Sequence, residues 1–470
     1  MRVVLIAFDG LRPDLVTPAL VPNLARLAAE GARFAAARSV FPSETRAATP
    51  SLVTGCRPGA HGMVANTLFD AALCPDRLLR TKSPSDLALL AEGRESPLER
   101  ETVAEVLARA GRSFALVSSG TAGAARLLHP AAERLGMLRW NVEEQDGEAA
   151  DRLAARFGPV PPAAVPNIPR IEHAGRILLE HVLPELRPDV ALLWLSEPDV
   201  SFHWGGLGSE AARAALAAAD AILGRVMAWR EAQPDAAEIV IGVLSDHGHV
   251  TGRGKRSLVE DLRQAGFDAG TDAGRQVVVA PAAAPGLWLR RPEDAASVAA
   301  FLAAQPWAGP LLLRDPALLP DGEGLPLDAL GSAHRRSADL VVTFAGDAGP
   351  DQWGLPGTAP FDAPDVPEGG GMHGGLHAAE LASVLVFAGG PLRRGAVVRQ
   401  AADLSDIMPT VLHLFGLAGP QMEGRPLLGA LSDAEDAEPV PERLELPRGF
   451  VLEGLRSETG RFYPSALRRA

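Results

Sequence analysis

Three aspartates in this sequence stand just after short apolar runs. Asp9 follows VVLIAF, Asp199 follows VALLWLSEP, and Asp246 follows IVIGVLS. Histidines accompany two of them: His203 lies four residues beyond Asp199, and His247 follows Asp246 at once with His249 close behind. A glycine-rich GMHGGLH segment adds His373 and His377. An i, i+4 spacing puts Asp199 and His203 on one face of a helical turn. Carboxylates crowded together repel and raise each other's pKa, a cost that a divalent cation removes. Mixed carboxylate and imidazole donors suit zinc, with manganese or iron as alternatives. One acid at a strand end means little. D-x3-H, S-D-H-G and G-x-H-G in the same chain point to a metal site.

A nucleophile candidate comes early, in the run SVFPSETRAATPSLVTG. The pattern predicts a helix from Thr45 to Val53, with Thr45 at its start. A hydroxyl there sees the positive end of the helix dipole and free N–H groups. Ser and Thr also serve as plain helix caps. The metal-ligand candidates elsewhere in the chain set Thr45 apart, because a hydroxyl beside a divalent cation ionises more readily.

These side chains need elements to carry them. Val3–Phe8, Phe114–Val117, Val190–Leu195, Ile239–Leu244 and Ser383–Phe387 read as parallel strands. Asn23–Ala32 and Ala211–Trp229 read as amphipathic helices. The alternation argues an α/β fold, a mostly parallel central sheet flanked by helices. In such a sheet ligands bind beyond the carboxyl ends of the strands, so the three aspartates are expected along one edge. Residues 251–370 are rich in Gly, Pro and Ala and hold strand-like pieces at Gln276–Ala280, Gly286–Leu289 and Leu340–Phe344. They read as a small inserted α+β cap between a first part of the catalytic core, 1–250, and a second, 371–430. Residues 431–470 are acidic and contain several prolines, and an extended surface segment is expected there.

The composition sets outer limits. Of 470 residues, 47% are hydrophobic, which excludes a disordered chain. Lysine plus arginine total 45 against 58 acids, a net charge of −13, so no nucleic-acid footprint is expected. The only lysines are Lys82 and Lys255, and the arginine excess reads as compositional bias. Cys56 and Cys74 cannot build a disulfide scaffold and fit a reducing compartment. The opening MRVVLIAFDG is too short in apolar residues for a secretory leader, and no run reaches membrane-spanning length. A cytoplasmic protein without a membrane segment is therefore expected, and a homo-oligomer is compatible with this composition.

Taken together, the motifs resemble the alkaline phosphatase superfamily, and within it the nucleotide pyrophosphatase/phosphodiesterase branch. The residues that carry the resemblance are FDGLRPD at Phe8–Asp14, VFPSET at Val40–Thr45, LVTG-x-x-P-x-x-HG from Leu52 to Gly62, EPD-x3-H from Glu197 to His203, SDHG at Ser245–Gly248 and G-x-HG from Gly371. DIMPTVLHLFGL and GRPLL extend it to about residue 430. The resemblance implies two divalent metal ions, zinc first and manganese second. One would be held by Asp199, His203 and His373, the other by Asp9, Asp246 and His247 with Thr45. It implies a hydrolase that cleaves phosphodiester or pyrophosphate bonds of a small-molecule phosphate ester through a covalent phosphothreonine. A phosphomonoesterase on the same two-metal site is the alternative. Asn66 stands where the family binds phosphate, and the backbone N–H of Arg46 would complete the oxyanion contacts.

The chain departs from the pattern after the nucleophile. Nucleotide-cleaving relatives typically place an aromatic residue there, and this chain places Arg46. Arg46 is expected to bind a second anionic group of the substrate, and base stacking would fall to Phe41, Phe69, Trp204 or Trp353. A sulfatase is disfavoured because CRPGA at Cys56–Ala60 lacks the arginine of C-x-P-x-R. A mutase is disfavoured by the threonine nucleophile. His61 is expected to brace its turn, Trp194 to lie in the core, and His249, His334 and His377 to be solvated or to stand behind the ligands.

Overall fold

The computed structural model describes residues 1–319, 324–431 and 436–470. An eight-stranded sheet forms its centre. In chain order the strands are β1 (Arg2–Phe8), β2 (Ala32–Phe34), β3 (Phe114–Ser118), β4 (Arg139–Asn141), β5 (Val190–Leu195), β6 (Ile239–Leu244), β7 (Leu385–Ala388) and β8 (Ala396–Val398). In space they run β8-β2-β7-β6-β1-β5-β3-β4. β6, β1, β5, β3 and β4 are mutually parallel.

The continuous apolar runs are explained by burial on both faces. Side chains of β1 alternate between two cores, as the two-residue period of a strand requires. Val4, Ile6 and Phe8 meet α1 (Pro22–Glu30) through Leu24 and Leu27, and α4 (Glu210–Glu231) through Leu216, Ile222 and Val226. Val3, Leu5 and Ala7 meet α2 (Thr45–Thr54) through Leu52 and Val53, and α5 (Ile407–Leu414) through Met408 and Val411. The short α3 (Asp199–Gly205) follows β5 at the carboxyl edge. Among the described residues no helix is long and apolar enough to cross a membrane.

Two expectations are corrected. The run at Ser383–Phe387 does form a strand, β7, but it pairs antiparallel with β6, Leu385 opposite Leu244. The preceding GMHGGLH loop already lies at the carboxyl edge, so the chain enters the sheet from that end. A parallel strand would have needed a crossover back to the other edge.

The tail is not an extended surface segment. Val440–Leu446, Phe450–Arg456 and Phe462–Arg469 form an antiparallel three-stranded sheet. Phe450, Leu452, Phe462 and Leu467 pack against Phe41, Leu376 and Leu381. Most of the acids that make the segment read as acidic, Asp433, Glu435, Asp436 and Glu438, precede the first of these strands in the sequence.

Between β6 and β7 lie two further sheets. One has six strands, among them Val277–Ala280, Gly286–Leu289 and Leu340–Phe344, and shares an apolar core with helices Leu258–Gln264 and Ala295–Ala303. The other has four strands and pairs Val250 with Met372 and Thr251 with Gly371. That pairing is the link that carries His373 to the end of β6.

Candidate active site

β1 lies between β5 and β6, so Asp9, Asp199 and Asp246 leave three adjacent strands at one edge. The backbone stitches them together. Asp9 N–H donates to Leu195 O at 3.0 Å, and Asp199 N–H donates to Asp9 O at 3.1 Å. Trp194 Nε1–H donates to Asp9 Oδ2 at 3.0 Å, and Gly10 N–H donates to Asp246 Oδ1 at 3.1 Å. Each of these two carboxylates is thus pinned through one oxygen. The other oxygen, Asp9 Oδ1 or Asp246 Oδ2, is buried without a hydrogen-bond partner, and so is Asp199 Oδ1. Unpaired buried carboxylate oxygens are costly, and three together mark a place made for positive charge.

The histidines complete two groups. His247 Nε2 lies 3.3 Å from Asp246 Oδ2, 3.6 Å from Asp9 Oδ1 and 3.3 Å from Thr45 Oγ1. Asp199 Oδ1 lies 3.3 Å from His203 Nε2 and 3.4 Å from His373 Nε2, and those two nitrogens are 3.1 Å apart. Donors about 2.0–2.1 Å from a tetrahedral zinc are roughly 3.3 Å from one another, so both groups have the size of a first coordination sphere. The imidazoles are oriented by backbone carbonyls. Nδ1–H donates to Gly371 O from His203 at 2.7 Å, to Gly248 O from His247 at 3.1 Å and to Ser43 O from His373 at 2.8 Å. Each ring therefore turns its Nε2 inward, and with that nitrogen unprotonated this is the form in which histidine binds metal.

The electrostatics agree. Burial, with the charges of Asp246 and Asp199, holds Asp9 well above the usual carboxylate range. Burial pushes Asp246 up to about 7. Burial acts in the same sense on Asp199, but positive charge on His203, with His249 and His373 beside it, holds that carboxyl well below its ordinary value, and Asp199 in turn raises His203 against the effect of burial. Burial lowers His247 to about 3, so its ring stays neutral.

Thr45 is the first residue of α2, buried, with its hydroxyl toward His247. The Arg46 N–H, expected to be an oxyanion donor, instead donates to Asn66 Oδ1 at 3.1 Å. Asn66 is held in turn by its own N–H, which donates to Glu44 Oε2. This fixes the amide: its oxygen faces the start of α2, and its nitrogen has no protein partner among the described residues.

Several residues here were not legible as site residues. Glu44 positions Asn66. Glu197 accepts N–H bonds from Asn167 and Ser201 and so ties the start of α3, which carries Asp199 and His203. Trp194, read as core, also orients Asp9. His249, expected to be solvated or to stand behind the ligands, is fully buried beside Asp199. His61 braces its turn as expected, accepting from Met63 N–H and lying 3.0 Å from Ser51 Oγ. His334 pairs with Glu99 and His377 caps the helix at Ala378–Leu381, both outside the donor groups.

An apolar cavity opens on Asn66, His203 and His373, with Phe41, Val64, Trp288 and Met372 in its walls. Of the aromatics expected to stack a base, only Phe41 lines it. Phe69 packs edge-on against Trp288, Trp204 is half exposed, and Trp353 lies against Gly206 and Gly208.

Residues 3–350 match the family model of type I phosphodiesterase / nucleotide pyrophosphatase. The chain belongs to that family, within the alkaline phosphatase superfamily. The family match covers every proposed ligand except His373, which reaches the site through the Thr251–Gly371 pairing. Bis(5'-adenosyl)-triphosphatase enpp4 of Xenopus laevis is 39% identical over 70 residues, 15% of this chain and 16% of that protein. Its human counterpart is 34% identical over 70 residues, again 15% and 16%. These matches thus span about a sixth of the curated relatives. Among solved structures, murine ectonucleotide pyrophosphatase / phosphodiesterase 5 aligns at TM-score 0.63 and 17% identity, over 90% of this chain and 97% of that one. Its inactive variant in complex with AMP aligns at 0.65 and 17%, over 92% and 100%. These likenesses establish a shared fold.

Proposed function

We propose that this family member is a metal-dependent phosphodiesterase or pyrophosphatase that works through a covalent phosphothreonine. The observation that carries this reading is Thr45 Oγ1 at a helix N-terminus, 3.3 Å from a neutral imidazole and beside carboxylate oxygens that lack partners. Asp9, Asp246, His247 and Thr45 would hold one divalent cation, and Asp199, His203 and His373 the other, with zinc preferred and manganese second. When bound, such ions supply charge neutralisation at a reacting phosphoryl group and ease ionisation of a hydroxyl.

The chain's own residues do the rest. Thr45 Oγ1 attacks phosphorus, the bond from phosphorus to the leaving oxygen breaks, and a phosphothreonine forms. Water then cleaves that bond, which restores Thr45 and releases the phosphate product. The Asn66 amide nitrogen donates to a non-bridging oxygen. The apolar cavity takes the organic group that stays on phosphorus, which a monoester lacks, and so favours a diester. The names of the relatives support the same class: one is a bis(5'-adenosyl)-triphosphatase, and one structural neighbour is in complex with AMP.

Rates on bis-p-nitrophenyl phosphate, p-nitrophenyl phosphate and an aryl sulfate, measured after zinc or manganese loading, test this. The diester is expected to react fastest, Thr45→Ala to lose at least ~10³-fold, and acid quenching to leave phosphate on Thr45. A monoester preference above about tenfold would overturn the diester assignment.

A further inference from the structure

His249 belongs to neither ligand set that the motifs suggest, yet it lies at the centre of the cluster. Its ring is fully buried and packs against the rings of Phe202, His203, His247 and His373 at centroid distances of 5.2, 5.3, 5.3 and 4.9 Å. Its Nδ1–H donates to Gly10 O at 3.0 Å, so Nε2 carries the lone pair. That lone pair points at Asp199 Oδ1 from 3.1 Å, and neither atom has a hydrogen-bond partner. Two buried electron-rich atoms at that distance repel unless positive charge lies between them.

The seat for this ring is built. A Cβ on Gly10 would come within 2.3 Å of His249 Cε1, and one on Gly371 within 3.0 Å of Cδ2. Gly10 also has φ +71°, a conformation that suits glycine. Two glycines from separate segments therefore leave room for one imidazole in one orientation.

We infer that His249 is a fourth protein donor to the cation held by Asp199, His203 and His373. This rests on the two-cation reading above. The donors at that position would then be one carboxylate oxygen and three imidazole nitrogens, each Nε2 within 3.1–3.4 Å of Asp199 Oδ1. Three imidazoles also favour zinc over manganese there, whereas Asp9, Asp246, His247 and Thr45 form an oxygen-rich set that tolerates manganese.

The test uses the full chain, stripped with a chelator and reloaded with cobalt(II). Each ligating imidazole whose Nδ1–H is held by a carbonyl gives one strongly shifted, exchangeable proton resonance. The wild-type protein is expected to show four, from His203, His247, His249 and His373. His249→Gln is expected to lose one of them, to change the visible cobalt absorption, and to weaken one of two cobalt equivalents at least tenfold. Wild-type protein that binds two equivalents but shows three resonances overturns the assignment of His249 alone, whether or not the variant folds. Weaker binding in His249→Gln with an unaltered cobalt spectrum also overturns it, leaving a residue that only positions Asp199. Wild-type protein that takes up fewer than two equivalents overturns the two-cation reading and this inference with it.

Discussion

Arg46 is the residue at which this chain departs most from its family pattern. Its Nε–H donates to Thr81 Oγ1 at 3.1 Å, and no carboxylate among the described residues pairs with its guanidinium. Burial lowers its pKa, while Glu44, Asp9 and Asp199 oppose that shift. A cation so placed suits a second anionic group on the substrate. A hydrogen bond to a charged partner contributes about 1.5–3 kcal/mol, so Arg46→Ala is expected to cost ~10–100-fold in kcat/KM on a dinucleoside polyphosphate. On bis-p-nitrophenyl phosphate the same change is expected to cost less than about threefold. Equal losses on both substrates would remove Arg46 from substrate recognition. At this scale the motifs marked the aspartates, His203, His247, His373 and Thr45. They did not show that Trp194 and Gly10 each hold one oxygen of a carboxylate, because those contacts join residues 185 and 236 positions apart.

The C-terminal sheet is tied to the core by a buried ion cluster. Asp403 Oδ2 lies 2.8 Å from Arg57 Nη2 and 2.8 Å from Arg461 Nη2, with the Asp403 side chain 3% exposed. Burial alone would raise this carboxyl, but Arg461 and Arg57 hold it well below its ordinary value. Its stabilising effect is therefore present above the unfolded pKa of about 4 and is lost as pH falls through the folded one. Asp403→Ala leaves two buried guanidiniums without their shared partner and is expected to destabilise the fold by ~3–5 kcal/mol. Arg461→Met should cost less, since Arg57 still neutralises Asp403. Urea unfolding of the two variants checks the order, and equal midpoints would refute it. The sheet itself was hidden in the sequence because an acidic run precedes it and its partner surface, around Phe41 and Leu376, lies far away in the chain.

Over the whole molecule the net charge is −13, and several of the acids behind that excess are buried at the site. Burial pushes Asp246, Glu197 and Glu380 all to about 7. Folded values above the unfolded ones mean that the cation-free protein is favoured below about pH 4 and loses stability as pH rises through 7, by up to ~1.4 kcal/mol per pH unit for each group. A divalent cation requires the deprotonated carboxylate and cancels the part due to Asp246. The rise in Tm on adding zinc, relative to chelator, is therefore expected to grow from pH 5 to pH 8. A constant difference across that range, measured by scanning calorimetry, would contradict a cation at Asp246.

The strand-forming runs, the order of the motifs and the chemical type of each candidate donor are legible in the amino-acid order alone. Local hydrophobic pattern and side-chain identity are written residue by residue, and Asp9, Asp199 and Asp246 are read directly from what precedes them. Which donors meet is set by the packing of distant segments. β1 had to lie between β5 and β6 for three aspartates to share an edge, and Val250–Lys255 had to pair with Gly371–Met372 for His373 to arrive. Such packing also sets the direction of β7, the fold of the tail and the burial of His249, because each depends on long-range contacts that no local pattern encodes.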